Sequence, residues 1–367
     1  MTIIFFTRLF YPHIGGVEKH VFEISKILIK KGYKIIVFTE HFDKKLKHKE
    51  NIKGIVIYRI SVGEKKFLKK FRIWRQLWEY RKIIEKADIV HAHDVFFWYL
   101  PFRFLFSKKP VYTTFHGYEG NNLPSKKAIF MHKLAEKLSN GNICVGDYLK
   151  KWYGTKPNYI IYGGVEISNI NPSTSSGLTL SGAERVKYQI SNINSKKLKI
   201  LLIGRLEKDI GIPIYLKTLI LLKEKRIDFE FEACGDGLLR KEVERYGKVH
   251  GLVENLRPYI EKANIVFASS YLSILEAMKA KKLIFSTFDN PLKEDYLKLS
   301  PFAKWIIIEN SARSLASRIE HFMNRSSEYE KAVNAGYKWA SQQSWQKVTD
   351  LYIKLWKHEG IFRNNCS

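Results

Sequence analysis

Between Asn264 and Phe288 the chain reads NIVFASSYLSILEAMKAKKLIFSTF. An apolar run, Ile265 to Phe267, gives way to the small residues Ala268, Ser269 and Ser270 and then to Tyr271; helical spacing begins at about Leu272, with Leu275 and Met278 on one face. A second apolar run follows at Leu283 to Phe285. Strand, small-residue turn, helix, strand is the pattern of a parallel α/β layer, in which the helix begins at the carboxyl edge of the sheet. Backbone N–H groups and the positive end of the helix dipole then face the ligand side, an arrangement that suits a diphosphate. Glu276 lies one turn into this helix. It either accepts hydrogen bonds from ribose hydroxyls or is a solvated acid that complements the dipole, and spacing alone supports both.

The length of 367 residues suits two domains, and 45% hydrophobic residues suffice for two cores. The opening MTIIFFTRLFYPHIGG is interrupted by Arg8 and Pro12 too soon for a secretory signal, and no apolar stretch reaches membrane-spanning length. Cys144, Cys234 and Cys366 are far apart in sequence, which argues against a zinc cluster or a disulfide framework and favours a reducing cytoplasm. A net charge of +27 suits an anionic membrane, a nucleic acid or a phosphorylated substrate, or reflects a compositional bias toward Lys.

Ile3 to Phe6 reads as a buried strand, followed by Gly15 and Gly16 and a helix through Val17, Val21, Ile24, Ile27 and Leu28, then a strand at Lys34 to Thr39. Phe42 to Lys53 reads as a polar surface loop. From Glu64 to Lys86 nine basic residues stand against three acidic ones, with Phe67, Phe71, Trp74 and Trp78 on one helical stripe. Two uses fit that stripe: lying on an anionic bilayer, or packing into the N-terminal core with the lysines in water. Strands are expected at DIVHAH (88–93) and Val111 to Thr114, which places His93, Asp94, His116 and Glu119 just past strand ends, where parallel sheets bind ligands. The HAHD spacing lacks the further Cys or carboxylate ligands of a metal site. Short strands follow at Asn142 to Val145 and Tyr159 to Ile161, flanking a basic helical piece, YLKKWYG.

The polar run PSTSSGLTLSG (172–182) fits an interdomain segment or a surface insertion. Beyond it Leu198 to Ile203 reads as a strand running into GRLEKDIG, where Arg205 either meets a phosphate with its planar fork or pairs with Glu207 or a loop carbonyl. Phe229 to Cys234 with GDG after it reads as strand and turn, and a helix is expected from Asn255 to Lys262. Pro291, Lys293, Glu294 and Asp295 follow the last strand of the opening segment, in a position to help close the site. Trp345 and Trp356, spaced among Leu351, Tyr352 and Leu355, mark an amphipathic terminal helix.

Several of these segments, in order, resemble the retaining, family-4-type glycosyltransferases (glycosyl transferases group 1): PHIGGVEKHVFEISKILIKKGYKIIVFT, FHG, IIYGGVE, GRLEKDIG, GDG and SILEAMKAKKLIFS. The resemblance spans nearly the whole chain. It implies an α/β fold of two facing Rossmann-like domains, the GT-B architecture, with a cleft between them: residues 1–166 on the acceptor side, 167–344 holding the nucleotide-sugar, and a helix at about 345–360 folded back on the first domain. It implies transfer of a hexose-type sugar from a nucleotide diphosphate to an acceptor hydroxyl of a polysaccharide, glycolipid or lipid-linked glycan, with retention and with neither metal nor cofactor. Donor contacts would come from Gly15, Gly16, Arg205, Lys208, Gly235, Ser273, Ile274, Leu275 and Glu276, and His116 would hold the donor sugar while Arg205 stabilises the leaving diphosphate. The setting would be cell-envelope polysaccharide synthesis, in the cytoplasm and at the inner membrane face. Two positions depart from the family pattern: Ala268 stands where a second Glu is usual, and Ile210 where a Lys is usual. A catalytically silent relative that binds nucleotide or serves as a partner subunit is therefore a second reading. A basic nucleic-acid-binding protein is a third, for which the chain lacks any recognised module.

Overall fold

Both halves of the chain contain parallel sheets whose strands read as almost unbroken apolar runs, the mark of sheets covered on both faces. The computed structural model describes residues 1–63, 69–117, 123–166 and 197–358. Within these the chain divides into two compact units, one of residues 1–164 with 345–358, the other of residues 165–344.

The first unit carries an eight-stranded sheet: β1 (Thr2–Thr7), β2 (Lys34–Glu40), β3 (Lys49–Ile52), β4 (Ile55–Ile60), β5 (Ile89–His93), β6 (Val111–Phe115), β7 (Gly141–Val145) and β8 (Tyr159–Ile161), ordered β3-β4-β2-β1-β5-β6-β7-β8. All neighbours run parallel except β3 with β4. Helix Gly16–Lys30 turns Val21, Ile24 and Leu28 inward, three and four residues apart, and they are fully buried. The stretch Phe42 to Lys53 is not wholly a loop. Lys53 and Gly54 both take positive φ, the two-residue turn of a tight hairpin, and Lys49–Ile52 becomes an antiparallel edge strand. Its side chains are all exposed or half-buried, so it carries no apolar alternation from which to read a strand.

The basic aromatic stretch forms two helices, Lys69–Glu79 and Arg81–Lys86; Glu64 and Phe67 lie outside the described residues. Its inward residues are Ile73 and Leu77, while Phe71 and Trp78 stand 64% and 50% exposed. The core-packing option thus fails for those two aromatics. Trp74 is half-buried, with its indole N–H donating to the Phe97 carbonyl at 2.9 Å. The helix Trp345–His358 returns to this unit and buries Trp345, Val348, Tyr352, Leu355 and Trp356.

The second unit has a six-stranded, all-parallel sheet: β9 (Leu198–Ile203), β10 (Phe229–Cys234), β11 (Lys248–Val249), β12 (Ile265–Phe267), β13 (Leu283–Thr287) and β14 (Ile307–Glu309), ordered β11-β10-β9-β12-β13-β14. Helix Ile212–Glu224 buries Tyr215, Leu216, Leu219 and Leu222 against this sheet. Strand order reverses direction beside β9, so the turns after β9 and β12 flank a switch point, the place where such sheets take ligands. The chain enters and leaves this unit side by side, since Val165 pairs with Ser344 and its N–H donates to the Gln343 carbonyl at 2.8 Å. The polar run 172–182 lies outside the described residues.

Trp356 is 1% exposed and its indole N–H bonds His91. Trp356→Ala is expected to cost about 3–5 kcal/mol of first-unit stability, read as a lowered urea midpoint; a midpoint unchanged from wild type would show that the terminal helix contributes nothing to that core.

Candidate functional site

Four turns meet at the carboxyl edge of the second unit's sheet. After β9 come Gly204 and Arg205, then a short 3-10 turn, Lys208–Ile210, closed by Gly211 at φ 83°. After β10 comes Gly235-Asp236-Gly237. These two turns stack backbone on backbone: a Cβ at residue 235 would lie 1.8 Å from the Gly204 carbonyl oxygen, so no other residue fits there. The Leu206 N–H donates to the Asp236 carbonyl at 2.8 Å and the Gly235 N–H to the Gly251 carbonyl at 2.8 Å. Gly235 therefore acts by letting the two loops touch.

Arg205 is exposed, and its Nη2 donates to Asp209 Oδ2 at 2.5 Å. Asp209 is 4% exposed. The partner is thus neither Glu207 nor a loop carbonyl; Glu207 instead accepts the Leu238 N–H at 3.0 Å. Lys208 stands exposed at the head of the 3-10 turn and makes no ion pair among the described residues. Ile210 is buried beneath it at 4% exposure.

After β12, Ala268 is fully buried and Ser269 is locked in place: its hydroxyl meets that of Tyr215 at 2.7 Å and accepts the Thr287 N–H at 3.1 Å. Helix Tyr271–Lys279 then begins. Ser270 occupies its capping position, yet its hydroxyl meets that of Ser273 at 2.9 Å and caps no backbone N–H. The first helical N–H, that of Tyr271, is taken by the Tyr296 hydroxyl at 3.0 Å, so the anion-facing set is one smaller than the sequence suggests. Ser273, Ile274 and Leu275 are buried and offer backbone only, whereas Glu276 is half-buried. After β13, Asn290 caps helix Pro291–Lys298 by accepting the Lys293 N–H at 2.9 Å. The Thr287 hydroxyl at the end of β13 is buried and makes no hydrogen bond; a Cβ on Gly211 would lie 2.3 Å from the Thr287 methyl.

The carboxyl edge of the first unit is organised around histidines. His20, His91 and His93 are buried, and His116 follows β6. His93 Nδ1 meets His116 Nε2 at 3.1 Å, His20 Nε2 meets the Tyr352 hydroxyl at 2.9 Å, and Thr114 Oγ1 joins His91 Nε2 at 2.8 Å to Tyr352 at 2.7 Å. Asp94, itself at φ 59°, accepts the His116 N–H at 2.8 Å, while Tyr148 donates to the His116 carbonyl at 2.7 Å. The loop is thereby fixed. His93 Nε2 is buried without a hydrogen bond. Glu119 lies outside the described residues. Gly15 begins helix Gly16–Lys30 in extended conformation, and the Glu18 carboxylate fills the space over it, 2.3 Å from where a Cβ would stand and 3.0 Å from His13 Nδ1. That helix terminus therefore already faces an anion of its own; beside Gly16 the space is open. No group of three or more His, Cys, Asp or Glu among the described residues is arranged to hold a metal ion.

Residues 14–169 match the family described as Glycosyltransferase Family 4, and residues 184–339 match Glycosyl transferases group 1. The chain is a family-4, group 1 glycosyltransferase. An uncharacterized glycosyltransferase of Methanocaldococcus jannaschii is 23% identical over 378 residues, covering 95% of this chain and 97% of its own. The GPI3 subunit of phosphatidylinositol N-acetylglucosaminyltransferase from Saccharomyces cerevisiae is 25% identical over 247 residues; the match takes in 62% of this chain and only 51% of that subunit. Among solved structures, a sucrose-phosphate synthase from Thermosynechococcus elongatus superposes with a TM-score of 0.72 at 14% identity, covering 97% of this chain and 98% of that one, and so shares its GT-B fold.

In this glycosyltransferase the structure gathers Arg205, Gly235, Ser273 and Glu276 on turns of one sheet edge, with Gly15, Gly16 and His116 on the other unit. Sequence reasoning missed Asp209, whose pairing with Arg205 needs the 3-10 turn to bring residues four apart together. Of the histidine cluster it singled out His93 and His116 but missed that His20 and His91 join them, an assembly made by β5, β6, helix Gly16–Lys30 and the terminal helix. Asp209 and His20 lie inside motifs otherwise recognised, and no local signal marks them.

Burial pushes His91 and His116 down to about 3, and burial together with neighbouring imidazoles holds His20 and His93 well below the ordinary value. The folded state therefore keeps them neutral while the unfolded chain protonates them below about pH 6.5. Their stabilising contribution is complete above that pH and declines as pH falls toward 3, by about 2 kcal/mol each for His91 and His116 at pH 5. The first unit is expected to melt at a markedly lower temperature at pH 5.0 than at pH 7.5; a melting temperature that holds constant over this range would contradict the arrangement.

Proposed function

We propose that this glycosyltransferase moves a hexose-type sugar from a nucleotide diphosphate to an acceptor hydroxyl, with retention and without a metal ion. The observation that carries the reading is the edge of the second sheet: an exposed arginine after β9, a helix start whose capping hydroxyl leaves the backbone, and Glu276 farther along the same helix. As the anomeric C–O bond breaks, negative charge grows on the β-phosphate. Arg205 and the backbone N–H groups at Ser273 offset that charge in a preorganised setting, and Glu276 accepts hydrogen bonds from the ribose. The acceptor oxygen bonds the anomeric carbon on the face the diphosphate leaves, and its proton passes to the departing phosphate oxygen. No protein base is required on this route. His116 takes a sugar hydroxyl.

A lipid-linked acceptor is the reading that best joins two facts. The yeast relative is named for sugar transfer to phosphatidylinositol, and the first unit holds aromatic and basic residues outward on helices that pack together. Phe71 and Trp78 lie on the 69–86 helices and 104–105 (Phe104, Leu105) on helix Phe96–Leu105; Phe130 lies on helix Lys126–Leu138. Exposed Lys70, Arg75, Lys82, Lys108, Lys126 and Lys127 accompany them. Such a surface suits the interface of an anionic bilayer. No helix among the described residues is long and apolar enough to cross one.

Sugar transfer or donor hydrolysis, assayed with UDP-, GDP- and ADP-sugars, is expected to fall about 10²–10³-fold in Arg205→Ala and at least about tenfold in Glu276→Ala. Tight nucleotide binding with no turnover of any donor would favour the silent-relative reading that Ala268 and Ile210 raise. Phe71→Ser with Trp78→Ser is expected to weaken binding to phosphatidylglycerol vesicles at least about fivefold while leaving the melting temperature in place; undiminished vesicle binding would remove the membrane from the proposal.

A further inference from the structure

The start of helix Tyr271–Lys279 has the makings of a capped terminus and is left uncapped. Ser270 holds the capping position in extended backbone, the conformation from which a serine hydroxyl ordinarily accepts the N–H two or three residues on. Its hydroxyl caps no N–H and instead meets the Ser273 hydroxyl at 2.9 Å, one turn along. A contact between two hydroxyls satisfies none of the helix's orphan donors, so the helix alone gains no cap from this pairing.

The orphan set is small. The first internal bond runs from the Ile274 N–H to the Ser270 carbonyl at 3.0 Å, which leaves the N–H groups of Tyr271, Leu272 and Ser273. The Tyr296 hydroxyl accepts the first, and Tyr296 is fixed there: the Tyr271 hydroxyl donates to its carbonyl at 2.6 Å and the two rings stack at 3.9 Å. Among the described residues the N–H groups of Leu272 and Ser273 have no protein partner. They lie beside the turn that carries Arg205. Phe267 of β12 pairs with Leu202 of β9, so Ser269 and Ser270 leave the sheet alongside Gly204 and the exposed Arg205 and Lys208. Next to Ser269, whose hydroxyl accepts its N–H, Thr287 keeps a fully buried hydroxyl without a hydrogen bond, a second polar group at this edge that the protein leaves unsatisfied.

We infer that Ser273 is a positioning residue for the diphosphate: its hydroxyl holds the Ser270 hydroxyl off the backbone and so keeps the Leu272 and Ser273 N–H groups open to the anion. The inference rests on the donor reading given above and names the side chain that keeps the helix start free. With Tyr296 already on one of the three groups, a serine cap would take a second and leave a single N–H to face a phosphate that presents three acceptor oxygens. The anion would then have to displace the cap before binding. Removing the Ser273 hydroxyl therefore has two effects of opposite sign, a better-capped helix and a poorer anion site. A serine that only packs would show neither.

The test is titration calorimetry of the full chain with UDP, GDP and ADP and with the matching monophosphates, joined to thermal melting without ligand. In Ser273→Ala the Ser270 hydroxyl is released to cap the helix. The nucleoside diphosphate that binds wild type is expected to bind about fivefold more weakly and its monophosphate no more than about twofold more weakly, with a melting temperature at or above that of wild type. Ser270→Ala combined with Ser273→Ala removes the cap as well and is expected to regain diphosphate affinity to within about twofold of wild type. Recovery on removing a second hydroxyl is not open to a serine that touches the ligand itself. Diphosphate affinity unchanged in Ser273→Ala, a loss shared equally by the monophosphate, a lowered melting temperature, or a loss that the double variant does not recover overturns the inference and leaves the donor reading standing. Failure of wild type to bind any of the three diphosphates, together with no donor turnover, overturns the donor reading and this inference with it.

Discussion

Burial of two parallel sheets on both faces is the constraint from which the rest of the structure follows. β1, β5, β9 and β12 each pair with a strand on both sides, and every apolar side chain of those strands goes to a core. The polar business of the chain is thereby pushed to the strand ends. At the carboxyl edges, turns connect to helices whose first N–H groups look outward, and chemistry accumulates there because nothing else in the layer can host it.

The two edges solve different electrostatic problems. In the first unit burial dominates: histidines, a threonine and a tyrosine bond one another in neutral form, with His93 Nε2 left without a partner, and charge is excluded down to acid pH. Such a network is rigid because each member loses a partner if another moves. In the second unit charge is retained and balanced. Arg205 pairs with a buried acid, and a buried lysine leans on a carbonyl and an aromatic face.

The departures at positions 210 and 268 take on structural meaning in this light. Ile210 is buried under the 3-10 turn and Ala268 is buried at the end of β12, so both have joined the core of the edge. The charges at this edge come from elsewhere, Asp209 from the adjacent position and Lys293 from the far side of β13. Spacing along the chain hides that placement, because residues 209 and 293 are brought to one sheet edge only by the neighbouring turns after β9 and β13.

What the sequence by itself determined is everything carried by short-range periodicity and by glycine-marked turns. The alternation of apolar runs with amphipathic helices settled the α/β class, and the ordered segments GGVEKH, FHG, GRL, GDG and SILEAM settled the family. Its failures were equally physical. The β3–β4 hairpin lacked a buried face to announce it, and the outward stripe of Phe71 and Trp78 has the same spacing as a core stripe, so only the position of Ile73 and Leu77 on the sheet decides which face goes in. Tertiary structure alone decided the pairing of charges and of rings: Arg205 with Asp209, Lys293 with Ser269, His91 with Trp356. Those contacts depend on distances between strand ends, and a one-dimensional pattern contains no term for a distance that the sheet creates by setting its strands side by side.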